Sequence, residues 1–364
     1  MSQPTDRSEP IDVQHILSLA EFEEIARARA PHSTYEYLAA GAGDEKTLRW
    51  NRESFDAILL RPRVLRDVST VDTSLTLLGR KLDCPILLAP TAFHRAIHPD
   101  GEVATAKGAG AAGASWIIST ATTTPLDEIG RAATGPLWFQ LYVQPDRSVT
   151  LDLVQRAESI GCEALCLTVD SPAQGARNRQ TRARFELPAG VTAPYMGELV
   201  AGKNISDNRR GSNITWDDLE WLVSASKIPV VVKGILDGRD AAKCVDSGAA
   251  GIVVSNHGAR NLDTIPAAID ALPEVADHVA GRVPLLIDGG IRRGTDIVKA
   301  IALGASAALV GRPYCYGVAA AGAEGVQRVV EIWRTELEMA MQLMGLRTLN
   351  EIDRSALWST KPDG

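Results

Sequence analysis

Gly251-Ile252-Val253-Val254-Ser255-Asn256-His257-Gly258-Ala259-Arg260 passes directly from an apolar run into a polar turn. A short apolar run bounded by turn residues reads as a strand buried on both faces. Seven more runs of this kind occur from residue 85 onward: Pro85 to Leu88, Trp116 to Ile118, Leu137 to Leu141, Ala164 to Val169, Pro229 to Val232, Pro284 to Ile287 and Ala307 to Val310. Helical segments separate them, which is the pattern of βα units around a parallel sheet. Eight such units predict a closed (β/α)8 barrel, the TIM barrel, rather than an open sheet.

Polar residues gather where these runs end. Ser119, Gln140, Tyr142, Thr168, Asp170, Lys233, Ser255, His257 and Asp288 all lie at or beside a C-terminal edge. Barrels of this kind build their sites there, from strand ends and the loops that follow. Strands that merely end at solvent would explain one or two such residues, not this set.

Outside the barrel the signals are simpler. The first 14 residues are polar and expected to fray. Ser18 and Glu21 have capping-box spacing and open a helix with Phe22, Ile25 and Ala26 on its apolar face, ended by Pro31. That helix belongs to an N-terminal cover. The irregular stretch 190–213, rich in Gly, Pro, Asn and Arg, follows the fourth strand and is expected to be a lid loop. The whole chain, 1–364, is expected to be one domain.

Composition narrows the partners. With 38 basic residues dispersed along the chain and a net charge of −7, there is no footprint for nucleic acid or anionic lipid. No apolar stretch approaches the roughly 20 residues needed to cross a bilayer, and no signal peptide is visible, so a cytoplasmic protein is expected. Cys84, Cys162, Cys166, Cys244 and Cys315 are odd in number and sit mostly among apolar neighbours, which reads as reduced core thiols. Cys162 and Cys166 lack a second ligand pair, so no metal site is expected.

Two ligand regions separate by chemistry. Asp288-Gly289-Gly290 with Arg292 follows the seventh run, and Gly311-Arg312 follows the eighth. Glycine admits close backbone approach and arginine adds charge-assisted hydrogen bonds, so this region is a phosphate handle. The second region is 255–260. His257 can act as a base near neutral pH, Asp170 can orient its ring, and Arg260 offers a fork matched to a carboxylate. Lys233 puts fixed positive charge on the same face and argues for a ligand that carries or develops negative charge. The other histidines read as structural.

The stretch Ser255 to Arg260, Lys233-Gly234, Asp288 to Gly294, Leu303-Gly304-Ala305 and Gly311-Arg312-Pro313 together resemble the FMN-dependent 2-hydroxy-acid oxidase family over roughly residues 16 to 356. The resemblance implies FMN as cofactor and a small 2-hydroxy acid as substrate. It implies His257 as base with Asp170 as partner, Arg260 and Tyr37 as the carboxylate clamp, Tyr142 at the reacting oxygen and Arg177 near the substrate. For the cofactor it implies Lys233, Ser119, Gln140 and Thr168 at the ring's polar edge, and Ala89-Pro90-Thr91-Ala92 beside the ring. Ser255 would touch the ribityl chain or ring, while Asp288, Gly289, Gly290, Arg292, Gly311 and Arg312 would hold the phosphate. Ala121 stands where glycolate oxidases carry tryptophan, and this implies a pocket for lactate or larger acids, with Phe93 as a possible wall. Oxygen is the implied acceptor, giving hydrogen peroxide, with a quinone or protein acceptor as the alternative. A homo-tetramer or octamer is also implied.

Overall fold

The computed structural model describes residues 11–196 and 214–358. Eight parallel strands close into the expected barrel: β3 (Ile86–Leu88), β4 (Ser115–Ser119), β5 (Leu137–Leu141), β6 (Cys162–Thr168), β7 (Val230–Ile235), β8 (Gly251–Val254), β9 (Leu285–Ile287) and β10 (Ala307–Val310), with β10 pairing back onto β3. A hairpin of β1 (Leu75–Leu77) and β2 (Arg80–Leu82) precedes them. Before it come α1 (Leu19–Arg29), α2 (His32–Ala39) and α3 (Lys46–Ala57). The helices that follow the strands are α4 (Gly101–Ala111), α5 (Leu126–Ala132), α6 (Arg147–Ser159), α7 (Asn178–Arg182), α8 (Trp216–Ala225), α9 (Gly238–Asp246), α10 (Ala268–Val279), α11 (Gly294–Ala302) and α12 (Arg312–Met344).

Side chains alternate across a strand, so the barrel has two cores. Ile86, Leu88, Trp116, Ile118, Phe139, Leu165 and Val254 join the layer shared with the helices. Leu87, Ile117, Trp138, Cys166, Val231, Val253, Leu286 and Leu309 form the inner core, with Leu77 and Leu82 of the hairpin packed into it. Two residues further along each strand direction stand Ala89, Ser119, Gln140, Thr168, Lys233, Ser255, Asp288 and Gly311. The period of two therefore carries the inward face from an apolar layer to a mostly polar one at the C-terminal rim. This change of layer is what positions the site.

The N-terminal cover differs in detail from expectation. Residues 1–10 of the segment expected to fray lie outside the described residues. Val13, near its end, is buried in a short turn where Asp12 Oδ1 accepts from Gln14 N–H at 3.0 Å. Helix α1 begins after Ser18, but the Ser18 hydroxyl donates to Glu21 Oε1 (2.7 Å) instead of accepting from the backbone. All five cysteines are buried and free, and no metal-ligand cluster occurs among the described residues. No described helix is long and apolar enough to cross a membrane.

Candidate active site

A cavity of about 980 Å³ opens at the C-terminal rim. It is lined by Tyr37, Ala121, Tyr142, Arg177, His257 and Arg260, and by Ala89, Pro90, Thr91, Ala92, Ser119, Gln140, Thr168, Lys233, Asp288, Gly289, Gly290, Arg292, Gly311 and Arg312. The two groups separated on the sequence thus share one space. Asp170 lies behind His257, and Ser255 lies outside the lining.

Ser255 stands behind the lining and not on it. It is fully buried, and its Oγ accepts from Lys233 Nζ (3.0 Å) and from His257 N–H (3.0 Å). It braces Lys233 against the turn that carries His257. Asp288 stands beside the glycines expected to hold the phosphate. Its carboxylate belongs to the inward layer and pairs with Lys233 (3.4 Å), so like charge keeps it from holding a phosphate. Burial opposes charge on Lys233, but Asp288 and Asp170 outweigh it and hold the ammonium above its ordinary pKa. Part of the negative charge that Lys233 needs is therefore built in.

His257 sits on an unusual turn. His257, Gly258 and Ala259 have φ of 57°, 59° and 60°, three successive left-handed residues, a conformation that side chains other than glycine rarely adopt. The turn is pinned on every side. Ala259 N–H donates to Asn256 O (2.9 Å), Arg312 to Gly258 O (2.9 Å), Ala42 N–H to Ala259 O (2.8 Å), and Arg177 Nε to Arg260 O (3.0 Å). Strain held this firmly is typical of functional sites. The ring's Nδ1 lies 2.8 Å from Asp170 Oδ1. Burial pushes the Asp170 carboxyl up, but His257 and Lys233 prevail and hold it at about 2. An ionised Asp170 only accepts, so Nδ1 carries the proton and Nε2 carries the lone pair. Gly234 makes this approach possible, since a Cβ there would stand 2.6 Å from Asp170 Cγ.

Arg260 and Arg312 are anchored on the end of α2, whose last carbonyls lack helical partners. Arg260 Nη1 donates to Tyr37 O (2.8 Å) and Ala40 O (2.9 Å), and Arg312 donates to Leu38 O (2.9 Å) and Ala40 O (3.1 Å). Two cations at a helix C-terminus also suit its dipole. Arg260 lies 5.2 Å from the centroid of the Tyr37 ring. Burial, with Arg177 nearby, brings the Arg260 pKa down to about 10, so it remains charged at neutral pH.

The donor set fits FMN. Gln140 Nε2, Thr168 Oγ1 and Asp288 Oδ1 are buried rim atoms with no partner among the described residues. A flavin ring edge and ribityl hydroxyls supply the complementary donors and acceptors. At the other end of the cavity, Gly289, Gly290, Gly311, Arg292 and Arg312 remain to receive the phosphate, although Arg292 N–H is already committed to Asp296 Oδ2 (2.8 Å). Gly290 has φ 90°, and a Cβ there would stand 2.0 Å from Asn51 O on α3. Gly290→Ala is therefore expected to lower Tm by several degrees and to yield protein depleted of FMN, measured by thermal melting and by the visible absorbance of the purified protein.

A parallel barrel with this polar rim, a buried lysine among unpartnered hydrogen-bonding groups, and glycines and arginines at two adjacent strand ends together form the frame of an FMN-binding barrel enzyme. The chain belongs to the FMN-dependent dehydrogenase family, whose pattern it matches over residues 26–359, and FMN is its cofactor. It is 44% identical to glycolate oxidase 3 of Arabidopsis thaliana, across 95% of this chain and 97% of that relative. It is also 44% identical to L-lactate oxidase of a Nostoc species, across 94% and 98%. A crystal structure of mandelate oxidase superposes with TM-score 0.88 at 41% identity, across 94% and 98%.

Several contributors escaped the sequence reading. Phe185 stacks on Tyr37, with centroids 4.2 Å and planes 14° apart. Asn51 and Asn256 exchange side-chain hydrogen bonds (2.7 and 3.1 Å) beneath the His257 turn. Glu102 and His94 form a buried network behind the 89–92 loop. None has a periodic or spacing signal, because each partner lies on a different element. The stretch expected to form a lid is described only to residue 196, and residues 197–213 lie outside the described residues.

Proposed function

We propose that the protein oxidises an (S)-2-hydroxy acid, lactate-like or larger, to the 2-oxo acid and delivers the electrons to oxygen, giving hydrogen peroxide. The observation that carries this is the placement of the His257–Asp170 pair and the Arg260 clamp in the same cavity as the Lys233 rim. FMN, when bound, would take up the two electrons and the second hydrogen that leave the substrate and would pass them to the acceptor. Arg260 and Tyr37 hold the carboxylate, with Arg177 beside them, and Tyr142 faces the reacting oxygen. His257 Nε2 takes one proton from the carbinol group, and Asp170 stabilises the imidazolium that forms. Lys233 would offer fixed positive charge to the ring's polar edge. Ser119, Gln140, Thr168 and the 89–92 backbone position the ring, while Gly289, Gly290, Gly311, Arg292 and Arg312 hold the phosphate.

The test is anaerobic mixing with 2-hydroxy acids, followed by air. Bleaching of the flavin and then rapid return of colour with stoichiometric peroxide is the expected result. Absence of bleaching overturns the reading. Bleached protein that stays reduced in air points to the family's dehydrogenase mode, with a quinone or protein as acceptor.

Acid should switch the reaction off. His257 must be unprotonated at Nε2, and burial pushes its pKa below the ordinary value, with Lys233 and Arg177 adding to the effect and Asp170 opposing it. The base form therefore persists below about pH 6.5. The rate of flavin reduction is expected to be level through neutrality and to fall about tenfold per pH unit only on the acid side. Stopped-flow reduction between pH 4.5 and 8 measures this; a midpoint above 7 contradicts a neutral resting His257.

The same reading takes 1–364 as one domain with 190–213 as its lid. Phe185 and Leu187 in the cavity wall support this, since they bring the preceding chain to the site. It also takes the protein as a cytoplasmic homo-tetramer or octamer, and multi-angle light scattering on the purified holoprotein checks the assembly.

A further inference from the structure

One buried carboxylate ties together two rim loops. Glu102, on α4 and 1% exposed, accepts from Thr123 N–H (2.7 Å) and Thr124 Oγ1 (2.8 Å) in the loop after β4, and from His94 N–H (3.1 Å) in the loop after β3. The first loop carries Ala121 and the second carries Phe93. Phe93 is itself held at φ 65°, and its N–H donates to Ala121 O at 3.2 Å. These bonds fasten both loops beside the small Ala121 side chain.

An aromatic wall borders that space. The Phe93 ring lies 5.7 Å from Tyr37 and 6.4 Å from Phe185, and Phe185 stacks on Tyr37, whose ring is in turn beside Arg260. The carboxylate clamp and a preformed aromatic surface are therefore contiguous. Aromatic surfaces of this kind favour a further ring in stacked or tilted contact. Asp146 and Glu186 also line the cavity, and they disfavour a second anionic group on the ligand.

We propose that the substrate is a monocarboxylic 2-hydroxy acid with a bulky apolar side chain, aromatic in the favoured case, received against the surface of Phe93 and Phe185 beside Ala121. This rests on the oxidation reading above and names the substrate class for it. Phe93, Phe185 and Ala121 act as specificity residues on loops that Glu102 ties together.

The FMN-loaded protein is titrated anaerobically with (S)-mandelate, (S)-2-hydroxyoctanoate, L-lactate, glycolate and L-malate, following flavin bleaching. In parallel, phenylacetate and acetate, which lack the hydroxyl and are not oxidised, are titrated against the flavin spectrum. Limiting rate divided by apparent Kd is expected to be at least about tenfold higher for mandelate than for lactate, with malate poorest. Phenylacetate is expected to bind at least about tenfold more tightly than acetate. Phe185→Ala and Ala121→Leu, each checked for FMN content, are expected to lower the mandelate-to-lactate ratio at least about fivefold. Lactate, glycolate or malate matching or exceeding mandelate overturns the side-chain inference and leaves the oxidation reading standing. Tight phenylacetate binding with no bleaching by any acid does the reverse: it supports the apolar wall and overturns the oxidation reading.

Discussion

His257→Asn is expected to lower the rate of flavin reduction by a hydroxy acid about 10²- to 10⁴-fold, the range for losing a positioned general base, while the protein stays yellow and folded. Asparagine is the informative replacement because position 257 has φ 57°, and asparagine tolerates that region far better than glutamine or alanine. It also keeps the backbone N–H that donates to Ser255 Oγ, so the brace to Lys233 survives. The loss should appear in the limiting rate of anaerobic stopped-flow reduction and leave FMN content near that of the unchanged protein. Full turnover in a variant that retains FMN would remove His257 as the base.

Arg260→Met is expected to act on binding. Removing one partner of a buried, hydrogen-bonded charge pair costs about 2–5 kcal/mol. At 1.4 kcal/mol per tenfold this raises the substrate's apparent Kd by about 30- to 4000-fold. Part of the loss is structural, because Tyr37 O and Ala40 O lose a donor at the end of α2. Arg260→Lys separates the two contributions. It keeps the charge but not the planar fork, so it should recover some affinity and little of the α2 anchorage. Titration of flavin bleaching gives Kd and limiting rate separately, and an unchanged Kd in Arg260→Met would remove the clamp.

The barrel was legible because its signal is local. Each strand carries its own apolar run, and a run such as Leu137–Leu141 or Gly251–Val254 is the same length in the structure as on the sequence. Elsewhere the edges move by one to three residues, as at β7, which extends to Ile235 across a register shift after Lys233. The polar rim was legible for the same reason, since the residue two places beyond an inward apolar position must also face inward. What a rim residue does once it is there was less legible. Ser255 and Asp288 both occupy the inward layer, yet one braces and the other neutralises, and that depends on where Lys233 Nζ reaches from β7 toward the ends of β8 and β9.

Residue type and local period determined by themselves that this chain forms a barrel of eight βα units, with His257, Asp170, Lys233 and Arg260 near one end and glycine and arginine at two adjacent strand ends. These follow from interactions along the chain, which a linear reading captures. Only the tertiary structure decided which nitrogen of His257 meets Asp170, that the turn bearing it is left-handed and pinned by Ala42, Arg177 and Arg312, and that Glu102, Phe93 and Phe185 together shape the wall beside the clamp. Those facts arise between elements far apart in sequence. Their geometry is set by closure of the barrel, which no local pattern records.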